Sequence, residues 1–237
     1  MRILIIVGFL FFIVPAGIAQ AVETEVVVRA KSKDAKFIGT SMGGAKVVIS
    51  DSTTGEILSE GFTEGGTGDT TKLMKQPHKR HIALSDETAA KYTAVIDINE
   101  PRFVDVEVSA PFAQQQSVVK SSTQVWLIPG KDITGDGIIV EIPGFAVDVL
   151  SPRTAEKIKL DQNSSTIRVK ANVVMMCGCP IEPGGIWDSE QYEVEATIIK
   201  DGENTGSVPL KYAGETSLFY GDIEISEAGT YELIVHS

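Results

Sequence analysis

Apolar and polar side chains alternate along most of the chain beyond residue 21. In Phe103–Val108, for example, Val104, Val106 and Val108 alternate with Phe103, Asp105 and Glu107. The same period of two recurs in Glu25–Arg29, Lys46–Ser50, Tyr92–Ile98, Ile167–Val174, Tyr192–Ile199, Ser217–Ile225 and Thr230–Val235. Val, Ile and Thr dominate these runs, and turn residues separate them. Branched side chains suit a pleated, half-buried surface, so the pattern predicts strands. Helical periodicity is scarce. One short helix is expected at Ser85–Lys91, with Ser85 as its cap and Asp86 and Glu87 at the positive end of its dipole. The fold class expected is all-β, as two β-sandwich domains behind a cleaved signal peptide.

Residues 1–20 differ from the rest. Arg2 is the only charge, an apolar run extends from Ile3 to Val14, and Gly17 and Ala19 supply the small residues of a cleavage site. This describes a secretory signal peptide. The apolar run is shorter than the ~20 residues that span a bilayer, and no later stretch is longer, so the mature chain is expected to have no transmembrane segment. A periplasmic or secreted location follows.

The first domain is expected over residues 22–131. Its opening, Phe37-Ile-Gly-Thr-Ser-Met-Gly-Gly-Ala-Lys-Val-Val-Ile-Ser-Asp-Ser-Thr-Thr-Gly-Glu-Ile-Leu-Ser-Glu-Gly-Phe-Thr63, resembles the carboxypeptidase-regulatory, transthyretin-like sandwich. A Gly-Ala, an alternating strand, a Thr-Gly turn and a second strand carry the likeness. It implies a sandwich and no catalytic residues. The pattern breaks after Thr63, where Glu64-Gly-Gly-Thr-Gly opens an insertion. Residues 132–164 read as a connector whose strands finish one domain and lean on the next. Residues 165–237 form the last domain, and the ending Ala228-Gly-Thr-Tyr-Glu-Leu-Ile-Val resembles the final hairpin of immunoglobulin-like modules.

The net charge of −11 becomes −12 once the first twenty residues, with Arg2 and no acid, are set aside. That balance argues against nucleic acid as a partner. Against it, Lys72-Leu-Met-Lys-Gln-Pro-His-Lys-Arg-His81 holds four cations, two histidines and no acid. His78, Lys79, Arg80 and His81 are therefore candidate binding residues. The segment suits an anionic surface or the protein's own acidic face, or is simply a solvated loop.

Only Cys177 and Cys179 are present, within Met175-Met176-Cys177-Gly178-Cys179-Pro180. Soft thioether and thiolate sulfurs suit Cu(I), which makes Met175, Met176, Cys177 and Cys179 candidate metal ligands. If the preceding strand continues, Met175, Cys177 and Cys179 share one face and Met176 takes the other. Two other readings stand beside this one. Cys177 and Cys179 can form a local disulfide if Gly178 turns the chain, or the sulfurs can fill core space. Trp187, in the Pro183-Gly184-Gly185 loop region, is either a recognition residue or a core anchor. Asp132, Thr134, Asp136 and Gly137 match the start of a calcium loop, but Pro143 stands where the bidentate acid belongs, which favours a turn.

No phosphate-binding loop or zinc-protease helix occurs, and three histidines give a triad little support. The functional expectation is an exported, non-catalytic binding or structural module of the cell envelope, without cofactor, whose partner is another envelope or extracellular protein. The alternative is a periplasmic copper or thiol-redox accessory protein built on the Met-Met-Cys-Gly-Cys run.

Overall fold

The computed structural model describes residues 20–160 and 164–237. The expected signal peptide lies, but for residue 20, outside them. The chain is all-β. Seven strands come first: β1 (Val22–Ser32), β2 (Lys46–Asp51), β3 (Ile57–Phe62), β4 (Tyr92–Ile98), β5 (Arg102–Ala110), β6 (Val119–Leu127) and β7 (Ile133–Ile142). Six follow: β8 (Phe145–Ser151), β9 (Ser165–Met175), β10 (Val194–Lys200), β11 (Glu203–Tyr212), β12 (Leu218–Ile225) and β13 (Tyr231–His236). No helix among the described residues is long and apolar enough to cross a membrane.

The first seven strands make two sheets, in the orders β4-β1-β7 and β3-β2-β5-β6. Their facing sides enclose one core. Val104, Val106, Val108 and Ala110 of β5 point into it together with Val47 and Ile49 of β2, opposite Val26, Val28, Ala94 and Ile96. Each fully buried Val or Ile contributes about 1.5–3 kcal/mol, so the alternation read from sequence is what holds the layers together. β1 departs from it. From Val26 to Ser32 every residue is buried, Arg29 and Lys31 included, because both of its faces are covered. Parallel pairing with β7 covers one edge, and the insertion after Thr63 covers the outer face.

The remaining strands form a six-stranded sheet, β13-β10-β11-β12-β9-β8, that folds upon itself at β11. β11 pairs with β10 from Glu203 to Leu210, but reaches β12 only through Lys211 and Tyr212. Pro209, which has no N–H to donate, sits just before the switch. Gly221 makes the fold tight, since a Cβ there would lie 2.7 Å from Leu210 Cδ2 and 2.9 Å from the Pro209 carbonyl oxygen. Val169, Ala171, Val173, Phe219, Val194, Ala196 and Leu210 fill the second core.

β7 and β8 are consecutive, joined by Pro143 and Gly144, yet β7 pairs with β1 and β8 with β9. Ala146 packs in the first core and Val147 against the second. The edge of β8 is closed from the first half: the Ser117 hydroxyl accepts the Val147 N–H at 2.9 Å and donates to the Val147 carbonyl at 2.9 Å.

The helix expected at Ser85–Lys91 is absent; turns and short bridges occupy those residues. Two carboxylates explain the difference. Asp86 Oδ1 accepts the Thr88 N–H and hydroxyl at 2.8 and 2.6 Å, a local turn that competes with helix. Asp136, far along the chain, takes the Ser85 N–H at 2.8 Å. A single helical turn appears instead at Thr71–Lys75.

Candidate functional site

The sulfur-rich run lies where the two cores meet. β9 ends at Met175, which packs in the second core with Cys177 and Cys179, while Met176 packs in the first. Cys177 and Cys179 are joined by a disulfide, with their Cα atoms 5.4 Å apart. Gly178, at φ 77°, makes the turn; its N–H donates to Met175 O at 2.7 Å, and Met175 N–H donates to Cys179 O at 3.1 Å. A Cβ at residue 178 would come within 2.6 Å of Met42 Sδ. Both cysteines are buried, at 1% and 5% exposure. With the bond closed neither sulfur is a thiolate, so the pair offers Cu(I) no charged ligand. Among the described residues no three His, Cys, Asp or Glu side chains converge.

Trp187 is buried as well. Its indole N–H donates to Asp34 O at 3.0 Å, pinning the loop after Ile181 to the turn that follows β1. It thus packs as part of the second core.

The basic segment is the exposed part. It belongs to an insertion from Glu64 to Lys91, closed at its base by bridges Glu64–Lys91 and Gly66–Ala89. Three fastenings hold it. Leu73 is buried against Phe37 and Ala89 in a small separate core. The buried Arg29 guanidinium, stacked over Phe37 at 5.6 Å, donates through Nη1 to Ala89 O at 2.5 Å and Ala90 O at 2.9 Å. Asp136 accepts Leu84 N–H at 2.7 Å, Ser85 N–H at 2.8 Å and the Ser85 hydroxyl at 2.6 Å.

Asp136 can reach the insertion because β7 bulges: the β1–β7 register jumps from Val26–Ile133 to Val28–Ile138. The resemblance of Asp132–Gly137 to a calcium loop is therefore that of a bulge, in which Asp132 accepts the Glu25 N–H and Asp136 fastens the insertion. Burial lowers the Arg29 pKa, and the Asp136 and Asp86 charges partly offset it. Burial pushes the Asp136 carboxyl up. The Ser85 hydroxyl, the Ser85 and Leu84 N–H groups and the Arg29 charge outweigh it, so the carboxyl titrates below its ordinary value. The Thr88 hydroxyl does most to hold Asp86 low as well.

Above these fastenings every residue from 75 to 83 is exposed. His78 donates through Nε2 to Leu73 O at 3.0 Å, and His81 adopts φ 64°. Lys72 is tied to Ser85 O at 2.9 Å, whereas Lys75, Lys79 and Arg80 form no ion pair with any described residue. The arrangement presents unpaired cations on a held loop, in a chain of opposite charge. Sequence reasoning does not select Arg29, and it gives Ser85 and Asp136 other roles, a helix cap and a calcium-loop position, rather than fastening the insertion. Arg29 carried a signal: a lone cation inside the apolar run Val26–Ala30.

No family model matches the chain. No solved structure matches it either. A transcription elongation factor SPT5 from Candida albicans is 26% identical over 98 residues, which is 40% of this chain and 10% of that protein. The chain spans a tenth of that relative's length, and the likeness shows no family.

Proposed function

We propose that this chain is an exported, non-catalytic binding module of the cell envelope, periplasmic or secreted. Its binding element is the fastened basic loop, and its partner is an acidic face of another envelope or extracellular protein. The observation that carries the reading is the loop itself. Lys75, Lys79 and Arg80 stand exposed, with no ion pair to any described residue, on a chain of net charge −11, and buried groups hold the loop that carries them. An exposed charge on an ordered loop loses less entropy on binding than one on a free tail. The signal-like first twenty residues support export, and the likenesses to carboxypeptidase-regulatory and immunoglobulin-like sandwiches support a module that binds rather than reacts. The copper and thiol-redox reading has less behind it, because the Cys177 and Cys179 sulfurs are buried and bonded to each other.

The test is fractionation of cells that make the full chain, beside a Lys75→Gln, Lys79→Gln, Arg80→Gln variant. The processed protein should leave the cytoplasm and come off the envelope with salt, and the variant should be released without it. Retention of the unprocessed chain in the cytoplasm, or equal attachment of both proteins, would refute the reading.

A further inference from the structure

Strand edges offer unpaired backbone groups, and folded proteins guard them with bulges, charges or covering side chains. Several edges here are guarded. β3 is bulged against β2 and has the Tyr92 hydroxyl on its Glu60 carbonyl. β7 is broken by its bulge, and β8 is closed by Ser117. β6 is different. It ends the four-stranded sheet and pairs with β5 in unbroken register from Arg102–Leu127 to Ala110–Val119. Its far edge makes no backbone hydrogen bond to any described residue. The strand has no proline, and its only charge, Lys120, lies near one end. Trp126 stands 58% exposed on its outer face, its ring against that of Phe103 with centroids 5.0 Å apart.

We propose that β6 is a self-association edge, on which a second copy of this chain adds its own β6 antiparallel about a two-fold axis at Thr123. The sequence of the strand is complementary to itself in that register. Thr123 is the midpoint of Val119–Leu127, so all nine residues find partners. Val119 faces the partner's Leu127, Ser121 faces Val125, and Ser122 faces Gln124. Lys120, which within one copy pairs with Glu107 at 2.8 Å, stands opposite the partner's Trp126, so a cation and the exposed indole are brought side by side twice over. No like charges are opposed. Moving the axis to Ser122 or Gln124 keeps the faces matched but leaves two residues of each strand unpaired and separates Lys120 from Trp126. An unrelated extended peptide has no such match, which is why a second copy is the occupant assigned. Pairing through one strand buries less than the ~1,600 Å² of a standard interface, so the dimer depends on concentration.

Sedimentation velocity of the full chain, from micromolar to near-millimolar concentration, should show a monomer passing to a dimer. Thr123→Asp sets two carboxylates face to face across the axis and should leave a monomer with an unchanged circular dichroism spectrum. Thr123→Cys should give a disulfide-linked dimer on mild oxidation, because directly opposed residues have Cα atoms ~4.5–5.5 Å apart, within bridging range. Val95→Cys, on exposed β4, should not. A wild type that stays monomeric throughout, or a Thr123→Cys that links no better than Val95→Cys, overturns the proposal. So does a folded Thr123→Asp that dimerises like the wild type. If Thr123→Asp fails to fold, the cysteine pair decides alone.

Discussion

Asp136→Ala tests whether the basic loop is truly fastened. The substitution removes the acceptor for Leu84 N–H, Ser85 N–H and the Ser85 hydroxyl, and it strips Arg29 of its largest favourable charge. Hydrogen bonds to a charged group contribute about 1.5–3 kcal/mol each, so three give roughly 4.5 kcal/mol at the low end. Asp136 is only half-buried, and water replaces part of what is lost. A local cost of about 2.5–3 kcal/mol remains, on the order of a 100-fold rise in opening. Hydrogen exchange should show that rise at residues 82–90, while amides of β5, which touch neither group, keep their protection. Asp136→Asn should lie between, since one amide oxygen still accepts but the charge is gone. Unchanged exchange in 82–90 would refute the fastening, and equal loosening of β5 would show that Asp136 supports the whole fold rather than the loop.

Acid should open the same loop. Asp136 and Asp86 both titrate below the ordinary aspartate value of 3.8. Their stabilisation is therefore complete above that value and lost as pH falls through the lower folded-state values, so loop amides should lose protection below about pH 4 before the β5 amides do. Reducing Cys177–Cys179 should leave the protein folded, because a ring of three residues constrains the unfolded chain by only about 1.5 kcal/mol; urea titration with and without reductant reads the difference, and complete unfolding would contradict it. Trp187→Phe loses the bond to Asp34 O and leaves that carbonyl to find another donor, at roughly 1 kcal/mol, or about 2–4 °C in Tm for a chain of this size. A thermal melt with no shift would show that the bond holds nothing.

Much of the fold was legible because one face of most strands meets water. In β5 the alternation of Val with Asp, Glu and Phe states which side is core. β1 hid its role, since a strand covered on both faces loses the alternation that marks a core side. The sulfur turn was legible in outline: parity put Met175, Cys177 and Cys179 on one side and Met176 on the other, and Gly178 supplied the turn that a local disulfide needs. Nothing nearby in sequence announces the partners of Ser85 or Trp187. Asp136 lies 51 residues from Ser85, and Asp34 lies 153 residues from Trp187. The misplaced helix at Ser85–Lys91 has the same origin, for Asp136 claims an N–H that helix initiation would have left free.

Titration of the purified chain with polyglutamate, followed by calorimetry at low and high salt, tests the account most directly. The wild type should bind at low salt and release as salt screens the contact, and the Lys75→Gln, Lys79→Gln, Arg80→Gln protein should not bind at either. Binding that survives in the triple variant, or no binding by the wild type, would contradict the claim that this held, unpaired basic loop is what the molecule presents to its partner.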